Sequence, residues 1–399
     1  MGGVAFLDDG PRVLSIYEGF FSGGARALHT SLLRGLEATT GQRHSVLGLT
    51  HRSHREETQQ AACDDTSYRR LRAAGIPVTL LRRMAGEPLR RNDRSALRRA
   101  LSGADLVLTL KEQPLAALAL AGGAGPPVIT CLHRSDPEHQ GSALADLVSL
   151  VDQGIVKQAV CCAHSTQAAY HAATGIPLER LPVVPNGVDL HRFRPSAAER
   201  AKVRKDLGVE GDAPVVMLSA RFDPMKDIPL FLRASAVLAK TRPDLHVVLC
   251  GAGMSLDNPA LAALLNDILR QWDAAGSRVH LLGIRDDMPS LYNGADIVAL
   301  TSAYGEAAPL SLLEGMACGA VPLTTDVGDA ALIVADPRLV VSRDPVEIAE
   351  SWEAAFEQRE EHAERIQRRR HGLSDQRCFD AYAALIATDA VPAQLSDAV

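Results

Sequence analysis

The sequence predicts an α/β protein built from two doubly wound parallel-sheet units in series. Three observations carry that prediction. Short, continuous apolar runs alternate with helical stretches along most of the 399 residues. The alternation stops at a Pro-rich, turn-forming run, Leu181–Asp189 (LPVVPNGVD), and then restarts. At about 100–200 residues per domain, the length fits two.

The elements follow in order. Arg12–Tyr17 (RVLSIY) reads as the first strand, followed by a Ser22-Gly23-Gly24 turn and a helix from Ala25 to Thr39. Further strands are expected at Ser45–Thr50, Pro77–Leu81, Asp105–Leu110, Pro127–Leu132 and Ala159–Ala163, with amphipathic Ala- and Arg-rich segments between them. After the Pro-rich run come strands Pro214–Ala220, Leu245–Cys250, Arg278–Leu282, Asp296–Leu300 and Val321–Thr325. Helices Ile228–Ala239, Pro259–Ala274, Met288–Asn293 and Leu310–Ala317 separate them. Each strand is apolar throughout, as a sheet covered by helices on both faces requires. Pro345–Gln367 reads as one charged helix, Asp375–Ala387 as the last, and the final dozen residues as frayed. The domain reading is residues 1–188, joined by a C-terminal helix at about 375–390, and residues 189–374, with a hinge near Asn186–Arg192.

Composition excludes several classes. Hydrophobic residues at 46% against 23% charged give a mean hydropathy near zero, the balance of a globular protein. A net charge of −6 gives no electrostatic support for nucleic-acid binding. The longest apolar candidate, Pro114–Ala121, is far too short to span a bilayer. Met1–Phe6 shows neither a signal-type core nor a myristoylation pattern, so the expected location is cytoplasmic. Seven cysteines without a Cys-x-x-Cys pair indicate neither a disulfide framework nor a zinc ribbon. Cys131/His133 and Cys162/His164 read as buried strand cysteines beside unrelated histidines. One charge bias stands out. Ten arginines lie between Arg69 and Arg99 against only Glu87 and Asp93, a face suited to an anionic membrane surface, a phosphorylated acceptor or plain solvent.

Common catalytic signatures are missing: no Gly-Lys-Ser/Thr phosphate loop, no His-Glu-x-x-His, no Gly-x-Ser-x-Gly. Gly251-Ala-Gly253 follows a strand, but Leu256 stands where a dinucleotide fingerprint needs its third glycine. The second unit instead offers a cluster. Arg221 and Lys226 follow its first strand, at the sheet edge where open α/β sheets bind ligands, and two cations there suit a diphosphate. Gly283, Ile284 and Arg285 follow the third strand, where a base can lie against exposed backbone. Tyr304–Pro309 runs into the helix at Leu310, whose first amides and positive dipole end favour a phosphate. Glu306 and Glu314 are too far apart for one acid/base pair and suit two ends of an extended ligand. Plainer readings exist for the cations: Arg221 with Asp223, and Lys226 with Asp227, as surface pairs.

Taken together, RFDPMK at 221–226, Glu306-x(7)-Glu314 within EAAPLSLLEGMACG, VPNGVD at 184–189 and TDVGD at 325–329 resemble the family-4 retaining glycosyltransferases. The resemblance spans about residues 12–385. It implies the GT-B fold, two Rossmann-like doubly wound parallel-sheet domains facing across a cleft. It further implies that Arg221 and Lys226 neutralise the leaving diphosphate, Glu314 takes the ribose hydroxyls, and Glu306 holds the transferred sugar. Amides of Ala308, Leu310 and Ser311 would meet phosphate and sugar. Gly23 and Gly24 would let backbone approach the donor, Gly253, Ile284 and Arg285 would line it, and His133 would sit beside the sugar. Two departures are present: Ala307-Ala308 where the family often has Gly-Phe, and Arg134 where it frequently has Asp after the histidine.

The implied function is retaining transfer of a sugar from a nucleotide-diphosphate donor, UDP-sugar first, without metal or other cofactor. The acceptor would be a small molecule or a lipid-linked glycan, with peripheral membrane contact through Arg69–Arg99 as one option. The alternatives are a non-catalytic nucleotide-sugar-binding protein and an epimerase or phosphorylase on the same fold. Loop Glu18–Ser22, His29 and segment 51–70 are the expected acceptor walls.

Overall fold

The computed structural model describes residues 10–21, 23–55, 58–121, 125–269 and 278–390. The expectations for Met1–Phe6, Ser22, the end of the helix predicted to Ala274 and residues 391–399 lie outside them. Contacts group the chain into two units, one running to Pro185 and resuming at Gln376, the other Asn186–Asp375.

The first unit holds six parallel strands: β1 (Arg12–Tyr17), β2 (Arg43–Gly48), β3 (Val78–Leu80), β4 (Leu106–Leu110), β5 (Val128–Leu132) and β6 (Val156–Cys161). Their spatial order is β3-β2-β1-β4-β5-β6. The second unit repeats the plan with β7 (Val215–Ser219), β8 (His246–Cys250), β9 (Val279–Leu281), β10 (Ile297–Leu300), β11 (Val321–Thr325) and β12 (Val340–Val341). Its order, β9-β8-β7-β10-β11-β12, is the same 3-2-1-4-5-6 winding. Every pairing within these two sheets is parallel.

Both faces of each sheet are buried, which is why the strands carry no polar alternation. In the second unit Val216, Leu218, Val247 and Leu249 face one cluster with Phe231 and Trp352. Val215, Met217, Val248 and Val298 face another with Tyr292 and Met316. Trp352 is wholly buried, its ring 5.5 Å from Phe231, and truncating such a side chain typically costs about 3–5 kcal/mol. The last helix, Gln376–Asp389, inserts Cys378, Phe379, Tyr382 and Ile386 into the core of the first unit. Six of the seven cysteines are buried and none is disulfide-bonded.

Three elements differ from expectation. Arg52–Arg55 and Thr58–Ala61 form an antiparallel hairpin, part of the segment read only as an acceptor wall. The two-residue strand β12 was not anticipated. The predicted helix Pro345–Gln367 is two helices, Pro345–Glu357 and Arg359–Arg369, broken at Gln358. The second begins with Glu360 and Glu361 in its first turn, where acidic side chains meet the positive end of a new dipole. The arginine-dense segment spans helices Thr66–Ala73 and Arg91–Ser102, with Arg69, Arg72, Arg82, Arg90, Arg91, Arg94, Arg98 and Arg99 exposed. No helix among the described residues is long and apolar enough to cross a membrane.

Candidate functional site

In the second unit, four neighbouring strand ends deliver the predicted residues to one sheet edge. The loop after β7 carries Arg221 and Lys226, that after β8 Gly253, and that after β9 Ile284 and Arg285. The loop after β10 carries Glu306 and Ala308 and leads into helix Leu310–Cys318, with Ser311 and Glu314. Strand order reverses between β7 and β10, and sheets of this kind leave a crevice at such a point.

The two loops that flank the reversal are tied together. Ala303 N–H donates to the Met225 carbonyl at 2.7 Å. Lys226 Nζ donates to Glu306 Oε1, and Ser302 Oγ donates to the same oxygen at 2.6 Å. Glu306 is buried, as is Ser302, so this carboxylate is held by two donors in a low-dielectric setting. The pairing corrects one plain reading. Lys226 reaches Glu306, while Asp227 turns to Arg343 at 2.6 Å. The other plain reading holds: Arg221 pairs with Asp223 at 2.9 Å. Asp223 Oδ1 also accepts from Met225 N–H at 3.0 Å, starting the short 3-10 turn Pro224–Lys226 that aims the lysine.

The backbone of Glu306 is fixed from a third side. The Asp326–Asp329 loop lies directly on it, with Asp329 N–H donating to the Ala307 carbonyl at 2.8 Å. Gly328 makes that approach feasible. Its φ is +63°, and a Cβ there would stand 2.3 Å from the Glu306 carbonyl oxygen. Gly328→Ala is therefore expected to displace the Glu306 loop and to lower turnover at least tenfold, measured beside a near-UV spectrum confirming the fold. Unchanged turnover would show that the loop's seat is irrelevant.

Around this centre, Pro309 caps helix Leu310–Cys318 without a side-chain bond, leaving the Leu310 and Ser311 amides at the positive end of a nine-residue helix. The Ala308 carbonyl accepts from Asn186 Nδ2 at 2.9 Å. Glu314, one turn into that helix, bonds to the buried Tyr292 hydroxyl, which also meets Ser219; burial pushes the phenol well above its ordinary value. Ile284 is 52% exposed, and Arg285 forks onto Asp287 at 2.8 and 2.6 Å. A fork so exposed contributes little stability. Gly253 has φ +78° and packs against Phe222.

In the first unit, Gly23 caps and Gly24 opens helix Gly24–Thr40, with no side-chain cap and no acid in its first turn. His133 follows β5, its Nε2 buried without a hydrogen-bond partner among the described residues. Burial first, and then Lys111, pull its pKa down to about 3, so the ring is neutral at pH 7. Arg134, the departure from the family pattern, turns its fork onto buried Asp136. Lys111 sits at φ +68°, at the end of β4. His29 is wholly inside the core, 1% exposed, so it is no wall. Glu112, also buried, accepts from Tyr170 at 2.9 Å, and burial raises its pKa.

Sequence reasoning missed Ser302, Arg343, Tyr292 and Gly328, and gave Asp227 the wrong partner. Only Gly328 carried a signal, in the TDVGD run. A cavity of about 440 Å³ lies away from this edge, lined by Pro214 and Asp296, which precede β7 and β10. Asp296 there holds Arg200 at 2.6 Å and Arg204 at 3.2 Å, and both arginines also donate to the carbonyl end of helix Met288–Gly294. That cluster is accounted for as a helix cap. Among the described residues, no group of three or more His, Cys, Asp or Glu is arranged to hold a metal ion.

Comparison with known proteins gives matches over both units. Residues 199–371 match the family model for glycosyl transferases group 1, and residues 22–192 that for glycosyltransferase family 4. A D-inositol 3-phosphate glycosyltransferase of Salinispora arenicola is 36% identical over 167 residues, 39% of this chain and 37% of that one. Its counterpart in Geodermatophilus obscurus is 33% identical over 225 residues, 53% and 48% of the two chains. The aligned stretches thus span less than half of either relative. Among solved structures, Anabaena HepE in complex with UDP and glucose superposes with a TM-score of 0.77 at 18% identity, covering 95% of this chain and 100% of that one. Sucrose-phosphate synthase from Thermosynechococcus elongatus gives 0.69 at 17% identity, covering 94% and 98%.

Proposed function

Because the chain belongs to the family-4 glycosyltransferases and is an enzyme of the GT-B fold, we propose that it moves a sugar from a UDP-sugar to an acceptor nucleophile with retention at the anomeric carbon. The observation that carries the reading is the Lys226–Glu306 pair at the reversal point of the second sheet. The bond from the anomeric carbon to the β-phosphate oxygen breaks, and negative charge builds on that oxygen. Arg221, Lys226 and the Leu310 and Ser311 amides receive it, so electrostatic stabilisation dominates. Glu306 accepts hydrogen bonds from hydroxyls of the transferred sugar, and Glu314 from the ribose. The acceptor attacks from the face the phosphate leaves, and its proton passes to that phosphate. Within the second unit, Gly253, Ile284 and Arg285 line the donor. The leaving charge is assigned to protein groups alone, and no cofactor enters the reading.

UDP stands first because solved structures of Anabaena HepE hold UDP and UDP-glucose. The acceptor is a small hydroxylated molecule or a lipid-linked glycan. Inositol phosphate leads the small ones, being the acceptor in the names of the sequence relatives. For a lipid-linked acceptor, the exposed arginines of residues 69–99 supply contact with an anionic membrane face.

One assay tests the reading: nucleotide release from UDP-, GDP- and ADP-sugars, with EDTA, and with or without candidate acceptors and anionic vesicles. UDP release that survives EDTA and rises with one acceptor is expected. Release from GDP- or ADP-sugars alone overturns the donor, and loss in EDTA overturns the metal-free charge assignment. An inverted product overturns retention. Epimerised donor, or phosphate-dependent cleavage, would favour the two alternative enzymes.

A further inference from the structure

We propose that Asp227 and Arg343 form a positioning pair that holds Lys226 on Glu306. The inference rests on the reading of Lys226 as a donor-site cation. Asp227 follows Lys226 directly and adopts φ +45°, ψ 55°, one of three non-glycine residues at positive φ among the described ones. A side chain there is conformationally unfavourable, and aspartate and asparagine tolerate it best. Glycine would fill the position without strain, so the carboxylate's contacts are what offset the conformation.

Those contacts run in two directions. Oδ1 accepts from Leu230 N–H at 3.2 Å, capping helix Ile228–Leu238, and Oδ2 accepts from Arg343 at 2.6 Å. Arg343 stands between β12 and helix Pro345–Glu357, so the pair bolts the turn after the first strand of this sheet to the loop after its last. Beneath it, the buried Thr301 hydroxyl donates to the carbonyls of Lys226 and Asp227 at 3.1 and 3.3 Å. The backbone on the C-terminal side of Lys226 is therefore clamped by a cap, an ion pair and a hydroxyl. A lysine side chain has four rotatable bonds, and fixing its base narrows where the ammonium can point. Without the clamp the turn can relax, and Nζ is no longer delivered to Glu306 on every molecule.

The test is a kinetic cycle over Asp227→Gly, Asp227→Asn, Arg343→Gln and Lys226→Ala, with UDP-sugar as the varied substrate. Asp227→Gly keeps the backbone conformation while removing both contacts. It is expected to raise the donor KM about tenfold and lower kcat, with little change in Tm. A merely structural role would instead lower the active fraction at constant KM. Asp227→Asn retains the cap and tolerates the conformation, so it should fall between, matched by Arg343→Gln and with no further loss in the double variant. In a Lys226→Ala background, Asp227→Gly should add nothing. Asp227→Gly within twofold of the parent, or an equal loss in the Lys226→Ala background, overturns the pair while leaving the Lys226 reading intact. Near-normal kinetics of Lys226→Ala itself overturns that reading, and the pair with it.

Discussion

Lys226→Ala and Glu306→Gln should each reduce turnover by about 10² to 10³, the range typical for removing one preorganised charge or donor from a reacting centre. Their effects on stability should differ from their effects on activity. The pair is largely buried, with side-chain exposures of 15% for Lys226 and 8% for Glu306. Removing the lysine leaves a buried carboxylate without its cationic partner, and stranding a buried charge costs about 3–5 kcal/mol. Glu306→Gln strands the ammonium instead, at a smaller cost because Lys226 is the more exposed partner. The double variant Lys226→Met, Glu306→Gln removes both charges at once. It should regain much of the lost Tm while recovering none of the activity. Urea unfolding and single-turnover sugar transfer on the three variants separate the effects. If the double variant were as unstable as Lys226→Ala, the pair would be packing rather than charge. If either single variant turned over normally, the assignment of the site would fail.

The sheets were legible because each strand is an apolar run fenced by turn residues. Arg12–Tyr17 and Val321–Thr325 were read to the residue: Pro11 and Glu18 bound the first, and Asp326 ends the second, which follows the Gly319 turn. The hairpin Arg52–Arg55/Thr58–Ala61 was not, because RSHR and TQQA carry no apolar alternation to betray a strand. The break at Gln358 was hidden among residues that all favour helix. In the site, the charged groups could be found from spacing along the chain and from the sheet edge they occupy. Their partners could not. Lys226 and Glu306 are 80 residues apart and Asp227 and Arg343 are 116 apart, so local sequence offered Asp223 and Asp227 as the nearest acids. The fold chose one of those two pairings and replaced the other. Ser302 is legible only after the fold is known, when its place just beyond a strand end gives the hydroxyl something to hold.

The protein should lose stability steeply as pH falls from 7.5 to 5, although nothing in its net charge of −6 announces it. Several histidines are folded in neutral. In the first unit His29 and His133 are drawn down to about 3 and His44 to about 4, in each case by burial above all. His133 and His44 then add to the effect on His29, and Lys111 to that on His133. In the second unit His246 is lowered to about 4 by burial and by the ring of His280, stacked on it with Nδ1 and Nε2 2.9 Å apart. In the unfolded chain these rings bind protons near pH 6.5. The folded pKa therefore lies below the unfolded one, and the unfolded state binds more protons throughout the interval between them. Stability is full above about pH 6.5 and falls as pH drops toward 4. By pH 5 each such histidine has withdrawn about 2 kcal/mol, a large share of the ~5–15 kcal/mol that separates folded from unfolded domains. The urea midpoint should therefore drop sharply between pH 7.5 and 5. His44→Gln and His246→Gln should each flatten the curve, the first in the transition of the Pro185-side unit and the second in that of Asn186–Asp375. A midpoint constant over that range would mean the rings are protonated in the folded state, and so reached by water that their burial excludes.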